Sequence, residues 1–184
     1  MSPALRLSQL LPAGESPAAT FDPVLTGMNA DSRSVQPGEA FIALAGASTH
    51  GLKFADVALA RGAAAILFEP PAPESVTLPA HAVAVPQLRQ RLGALADRCY
   101  GSPSSTLSVI GVTGTNGKTS TVQLLSQALS LRGRVAGSIG TLGAGLHGAL
   151  RAGERTTPDV VSVHRLLAEL REQGAEAVAM EVSS

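Results

Sequence analysis

The stretch "VIGVTGTNGKTS", residues 109–120, decides how the second half of this 184-residue chain folds. A β-branched apolar run, 107–112, predicts a buried strand. The stretch TSTVQLLSQALSLRG, 119–133, predicts a helix closed by Gly133. Between them lies a glycine-rich turn that departs from the strict Walker spacing. That pattern requires a glycine five residues before Gly117, where this chain has Val112. The physics is less strict. A nucleotide triphosphate needs convergent backbone N–H donors and a cation where a helix begins. Gly114 and Gly117 allow conformations and close approaches that a Cβ would obstruct. Lys118 can bridge terminal phosphate oxygens, and Thr119 can offer its hydroxyl to Mg²⁺. Lys53 and Lys118 are the only lysines, against twelve arginines, so one rare lysine stands at the critical position. ATP is therefore the expected ligand of Gly114, Thr115, Asn116, Gly117, Lys118, Thr119 and Ser120, with Lys118 catalytic. A glycine-rich turn capped by Thr119 is the competing structural reading.

Glu181 ends the apolar run AVAMEV, 177–182, a predicted buried strand of the same sheet. A carboxylate there can reach a phosphate-bound Mg²⁺, so Thr119 and Glu181 form the expected metal pair. A helix cap or an ordinary ion pair is the alternative for Glu181.

Bulk composition agrees with a globular protein. Apolar residues make up 45% and charged residues 15%, enough to bury a core. Fourteen basic against fourteen acidic residues, with 3% aromatics, give no support for a nucleic-acid surface. Cys99 is the single cysteine, which excludes an intrachain disulfide and reads as a partly buried free thiol. The N-terminus is a weak match to a signal peptide, and no apolar run approaches the ~20 residues that span a bilayer. A cytoplasmic protein without membrane insertion is expected. His50, His81, His147 and His164 show no metal-ligand spacing, and none is read as catalytic.

Two α/β series are visible. The opening segment, to about Thr26, holds at most one short helix around 5–11. AFIALAG (40–46), AAAILFE (63–69) and AVAVP (82–86) predict strands. Residues 51–63 predict a helix carrying Phe54, Val57, Ala58 and Leu59 and ending at Gly62. Residues 87–100 predict a second, with Leu88, Leu92, Leu95 and Cys99 on one face. The cluster YGSPSST, 100–106, suits a domain junction. Beyond it come the 107–112 strand, the loop and its helix, a strand near 134–140, a polar stretch at 143–155 suited to a hairpin, and a helix at 158–175 with Pro158 in its first turn. The expected fold class is α/β: a small N-terminal α/β domain, 1–103, followed by 104–184, the first part of a P-loop-type domain with a mostly parallel sheet.

"GVTGTNGKTS" resembles the ATP loop of the Mur ligase superfamily. "NADSRSVQPGEAFIALAGASTHGLKFADVALARGAAAILFE" is similar to the N-terminal domain of its MurE-type members, and "RTTPD" and "AMEVSS" resemble two further MurE-type signatures in the central domain. The resemblance covers nearly the whole chain, with four motifs in order. It implies an ATP-dependent amide ligase of peptidoglycan synthesis that adds a third amino acid to UDP-N-acetylmuramoyl-L-alanyl-D-glutamate through an acyl phosphate. Carried over by position, Ala30 and Ser32 contact the uridine end. Ala47, Ser48 and Thr49 hold the nucleotide portion, while Arg155, Thr156, Thr157 and Ser183 face the muramoyl-peptide side. The resemblance implies an Asn where Arg155 stands, so this chain departs from the family pattern at that contact. Asp31 with Arg33 also suits a turn-stabilising ion pair, Ser48 and Thr49 an ordinary polar loop before the helix, and Thr156 and Thr157 a helix cap.

The resemblance further implies three domains, of which this chain holds the first and part of the second. The expectations are a sheet left with an open face or edge, a monomer, and no turnover by this stretch alone. The third amino acid, diaminopimelate or lysine, is not legible. A stand-alone nucleotide-binding or regulatory module derived from such a ligase, or a ligase of the folylpolyglutamate-synthase kind, is the alternative.

Overall fold

The computed structural model describes residues 4–12, 21–79, 81–152 and 156–183. The chain forms two compact units, divided between Gly101 and Ser102.

In the first unit, β1 (Leu5–Arg6) and β2 (Val24–Leu25) form a short antiparallel pair beside α1 (Leu7–Leu10). Four strands then build a wholly parallel sheet in chain order: β3 (Gly27–Asn29), β4 (Glu39–Ala43), β5 (Ala65–Phe68) and β6 (Ala82–Ala84). Every residue of β4 and β5 is buried, the mark of a parallel sheet covered on both faces. Helix α2 (Ala55–Ala60) packs against β4, and α3 (Leu88–Cys99) against β3 and α1. Leu88, Leu92, Leu95 and Cys99 form the buried face of α3, as their spacing predicts. Each such leucine stabilises the fold by about 1.5–3 kcal/mol. At the end of α3 the Tyr100 hydroxyl donates to the Met28 carbonyl and accepts from the Met28 N–H, both at 3.1 Å, which ties the helix to β3. Burial, with a smaller contribution from the Glu39 charge, pushes the Cys99 thiol up to about 12.

Of the four residues expected on the buried face of α2, Ala58 is buried and Leu59 packs partly buried against the same core, but the other two are not buried. Leu52, Ala55 and Ala58 are buried, while Phe54 and Val57 are 48% and 45% exposed. Residues Gly51–Phe54 form a 3-10 turn ahead of the α-helix, whose three-residue period brings Leu52 in line with Ala55 at the start of α2. Gly51 fixes that phase, since a Cβ there would lie 2.7 Å from the Ala43 Cα.

In the second unit, β7 (Ser108–Val112) is followed by α4 (Lys118–Leu131), β8 (Ala136–Gly140), β9 (Gly143–Leu146), β10 (Ala149–Arg151), α5 (Val160–Glu172) and β11 (Ala177–Glu181). The sheet order is β10-β9-β8-β11-β7. Strands β8, β11 and β7 are parallel, and β8, β9 and β10 form an antiparallel meander that includes the expected hairpin. Leu167 and Leu170 of α5 bury Ile139 and Val178, whereas α4 packs on β7, β8 and β11. Alternate residues of β11 point to opposite faces, so each helix takes its own side.

Two expectations are corrected. Strand β7 is not buried: Ser108, Val109 and Gly111 are exposed, because β7 is the terminal strand and pairs only with β11 among the described residues. Pro158 is not in the first turn of α5. Asp159 is its N-cap, accepting from the Val161 and Ser162 amides at 3.0 and 3.1 Å, and the proline precedes it.

Candidate nucleotide and metal site

The loop leaves the carboxyl end of β7 and enters α4 at Lys118, with Gly117 as the N-cap. Gly114 and Gly117 have φ of +143° and +77°, values that L-residues with a Cβ rarely adopt. A Cβ on Gly117 would meet nothing within 4 Å, so the glycine serves the backbone conformation and not a crowded contact. Residues 113–117 are exposed. Lys118 folds back over the loop, its Nζ donating to the Gly114 carbonyl at 2.6 Å.

Parallel pairing of β11 with β7 sets Glu181 beside Val112, the last strand residue before the loop. Its carboxylate is 1% exposed. Oε2 accepts from the Thr119 hydroxyl at 3.0 Å and Oε1 from the Thr141 amide at 2.8 Å. The Thr141 hydroxyl lies 3.3 Å from Oε2 and 3.1 Å from the Thr156 hydroxyl. A carboxylate only accepts, and each hydroxyl has one proton, so the consistent order is Thr156 to Thr141 to Glu181. Thr157 donates to the Glu181 carbonyl at 3.1 Å and accepts from the Ser183 amide and hydroxyl at 3.0 and 2.8 Å. Neither threonine caps α5.

Glu181 has no cationic partner among the described residues; hydroxyls and one amide are all that balance its buried charge. Hard oxygen donors at a helix start suit Mg²⁺, so Thr119 and Glu181 fit that ion chemically. No group of three His, Cys, Asp or Glu side chains converges among the described residues.

The structure thus brings Lys118, Thr119, Thr156, Thr157, Glu181 and Ser183 together around the loop. Arg155 lies outside the described residues. Sequence reasoning missed Thr141 and Gly140, although a Gly-Thr pair at the carboxyl end of a strand in a nucleotide-binding sheet is a usable signal.

In the first unit, Ala30 and Ser32 follow β3, and Ala47, Ser48 and Thr49 follow β4, all beyond the carboxyl ends of parallel strands. Ala30, Ala47 and Ser48 are exposed, while Ser32 is buried. The Asp31–Arg33 pair exists: Arg33 Nε and Nη2 donate to Asp31 at 3.0 and 2.8 Å, and the Arg33 amide adds a third bond at 2.9 Å.

Profiles of two domains match the chain: "Mur ligase family, catalytic domain" over residues 24–100 and "Mur ligase middle domain" over 112–184. A protein of Xanthomonas campestris pv. campestris (strain 8004) named UDP-N-acetylmuramoyl-L-alanyl-D-glutamate--2,6-diaminopimelate ligase is 59% identical over 184 residues, 100% of this chain and 37% of that protein. One of the same name from Ectopseudomonas mendocina (strain ymp) is 50% identical, covering 97% of this chain and 36% of that protein. A solved structure of a ligase of that name has a TM-score of 0.73 at 28% identity, covering 98% of this chain and 36% of the solved one. The chain therefore spans little more than a third of the length of these relatives.

Proposed function

The chain belongs to the Mur ligase family, and from that premise we propose that it is the substrate- and ATP-handling part of a ligase that extends UDP-N-acetylmuramoyl-L-alanyl-D-glutamate by one amino acid. The observation that carries this reading is the 3.0 Å contact between Thr119 and the buried Glu181 at the mouth of the glycine loop. 2,6-Diaminopimelate is the amino acid proposed, supported by the names of the relatives.

A carboxylate is a poor acyl donor because its leaving group would be oxide. Attack of the substrate carboxylate oxygen on the γ-phosphorus, with ADP leaving, gives an acyl phosphate. The amine of the incoming amino acid then attacks the acyl carbon, loses a proton, and expels phosphate. In this scheme amides of Gly114, Thr115, Asn116 and Gly117 hold phosphate oxygens, with Ser120 beside them. Lys118 leaves the Gly114 carbonyl and offsets the charge on the transferring group, the largest contribution expected in phosphoryl transfer. Thr119 and Glu181 would hold Mg²⁺, which would supply positive charge to offset that of the phosphates. Thr156, Thr157 and Ser183 face the muramoyl peptide, joined by Arg155. Ala30, Ser32, Ala47, Ser48 and Thr49 take the nucleotide end. The 1–103 part is then a UDP-substrate domain and 104–184 the start of an ATP domain.

A cytoplasmic monomer is the matching setting, since its substrates are soluble nucleotides. No helix among the described residues is long and apolar enough to cross a membrane.

The test is phosphate release from ATP by the natural full-length gene product. UDP-N-acetylmuramoyl-L-alanyl-D-glutamate is compared with a folate substrate, and diaminopimelate with lysine. Release that depends on the muramoyl substrate and on diaminopimelate is expected. Turnover with folate alone overturns the reading.

A further inference from the structure

We propose that Arg89 is a phosphate-reading residue at the carboxyl edge of the first sheet, contacting the diphosphate of the nucleotide substrate. The inference rests on the assignment of the 46–49 turn to the nucleotide.

That turn is held from three elements. The Gly46 amide donates to the Thr49 carbonyl at 3.1 Å, and Gly51 closes the base by donating to Leu44 at 2.8 Å. A Cβ on Gly46 would lie 2.6 Å from the Thr49 oxygen, so the turn has little room to deform. His50 Nδ1 accepts from the Leu52 amide at 3.1 Å, which leaves Nε2–H to donate to the Glu69 carbonyl at 2.8 Å. The Glu69 carboxylate in turn accepts from the Ala45 and Arg89 amides at 3.4 and 3.2 Å. Arg89, from the first turn of α3, donates through Nη2 to the Ala45 carbonyl at 2.6 Å.

The resulting arrangement is unusual in its charge. Ala47, Ser48 and Thr49 are neutral, so an anion seated on the turn needs a cation from elsewhere. Arg89 is exposed and hydrogen-bonded to the base of the turn. Its guanidinium has no carboxylate partner among the described residues: Glu69 is engaged by the Arg89 amide instead. A guanidinium has five N–H donors and is always protonated; here one nitrogen contacts a neutral carbonyl. The other donors are open to a phosphate, whose oxygens match that fork. Ala45 and Glu69 follow β4 and β5, and open parallel sheets bind ligands outside those ends.

The experiment measures UDP and uridine affinities of the 184-residue chain, with wild type compared to Arg89→Gln and Arg89→Lys. Glutamine keeps an N–H donor for Ala45 without the charge, and lysine keeps the charge without the fork. Wild type should prefer UDP over uridine. Arg89→Gln should lose about tenfold in UDP affinity, equivalent to about 1.4 kcal/mol, with uridine unchanged, and Arg89→Lys should keep part of the preference. An unchanged UDP-to-uridine ratio in Arg89→Gln, or an equal loss for both ligands, overturns the proposal. Amide shifts of Ala47, Ser48 and Thr49 on adding UDP separate the two levels. If they move in wild type but the ratio ignores Arg89, this inference alone fails. If they do not move in wild type, the nucleotide assignment fails and the inference with it.

Discussion

A Cβ placed on Gly140 would lie 2.8 Å from both Cγ and Cδ of Glu181. The pocket for that carboxylate is therefore made by the absence of a side chain on the neighbouring strand as well as by the hydroxyls that bind it. A methyl on Gly140 would push the carboxylate away from its bonds to Thr119 and Thr141. Gly140→Ala should destabilise the second unit by about 1–3 kcal/mol, the usual range for overpacking, seen in urea denaturation. It should also reduce Mg²⁺-dependent ATP affinity of the chain more than its metal-free affinity, because Glu181 is the displaced group. Equal losses with and without Mg²⁺ would show that Glu181 does not hold the ion.

The start of helix α5 is set by Asp159. Asp159 satisfies two amides at the helix start through Oδ1, and its Oδ2 accepts from the Ser162 hydroxyl at 2.6 Å. Asp159→Ala should cost about 1 kcal/mol, while Pro158→Ala, one position outside the helix, should cost less; a reversed order in denaturant midpoints would contradict the cap assignment. Both residues suit a helix start, and sequence alone favoured the proline because its φ fits the first turn. The existence of α3, α4, α5 and most strands was legible, since Leu88, Leu92, Leu95 and Cys99 repeat at helical spacing, β5 is an unbroken apolar run and β4 is apolar after Glu39. The face of α2 was not, because a 3-10 turn shifts the phase and leaves no mark in hydropathy. In the site, Lys118, Thr119 and Glu181 were legible from chemistry at element ends. Thr141 was not, because its bond to Glu181 depends on which strands become neighbours in space.

At the scale of the whole chain, an open sheet edge was expected, but its position depends on strand order. Among the described residues the terminal strands of this sheet are β10 and β7, and β7 carries the glycine loop. Val109 on that strand is 37% exposed, and the outer N–H and C=O groups of an edge strand can template pairing with another chain. Zero formal net charge supplies little repulsion to oppose it. Val109→Lys should therefore slow concentration-dependent aggregation, followed by light scattering, without changing ATP affinity, since the substitution lies before the loop and outside the Glu181 cluster. Gln127→Lys, on an exposed position of α4, adds the same charge away from the edge and serves as the control. If both variants slow aggregation equally, net charge governs solubility. If only Val109→Lys does so, the β7 edge is the route.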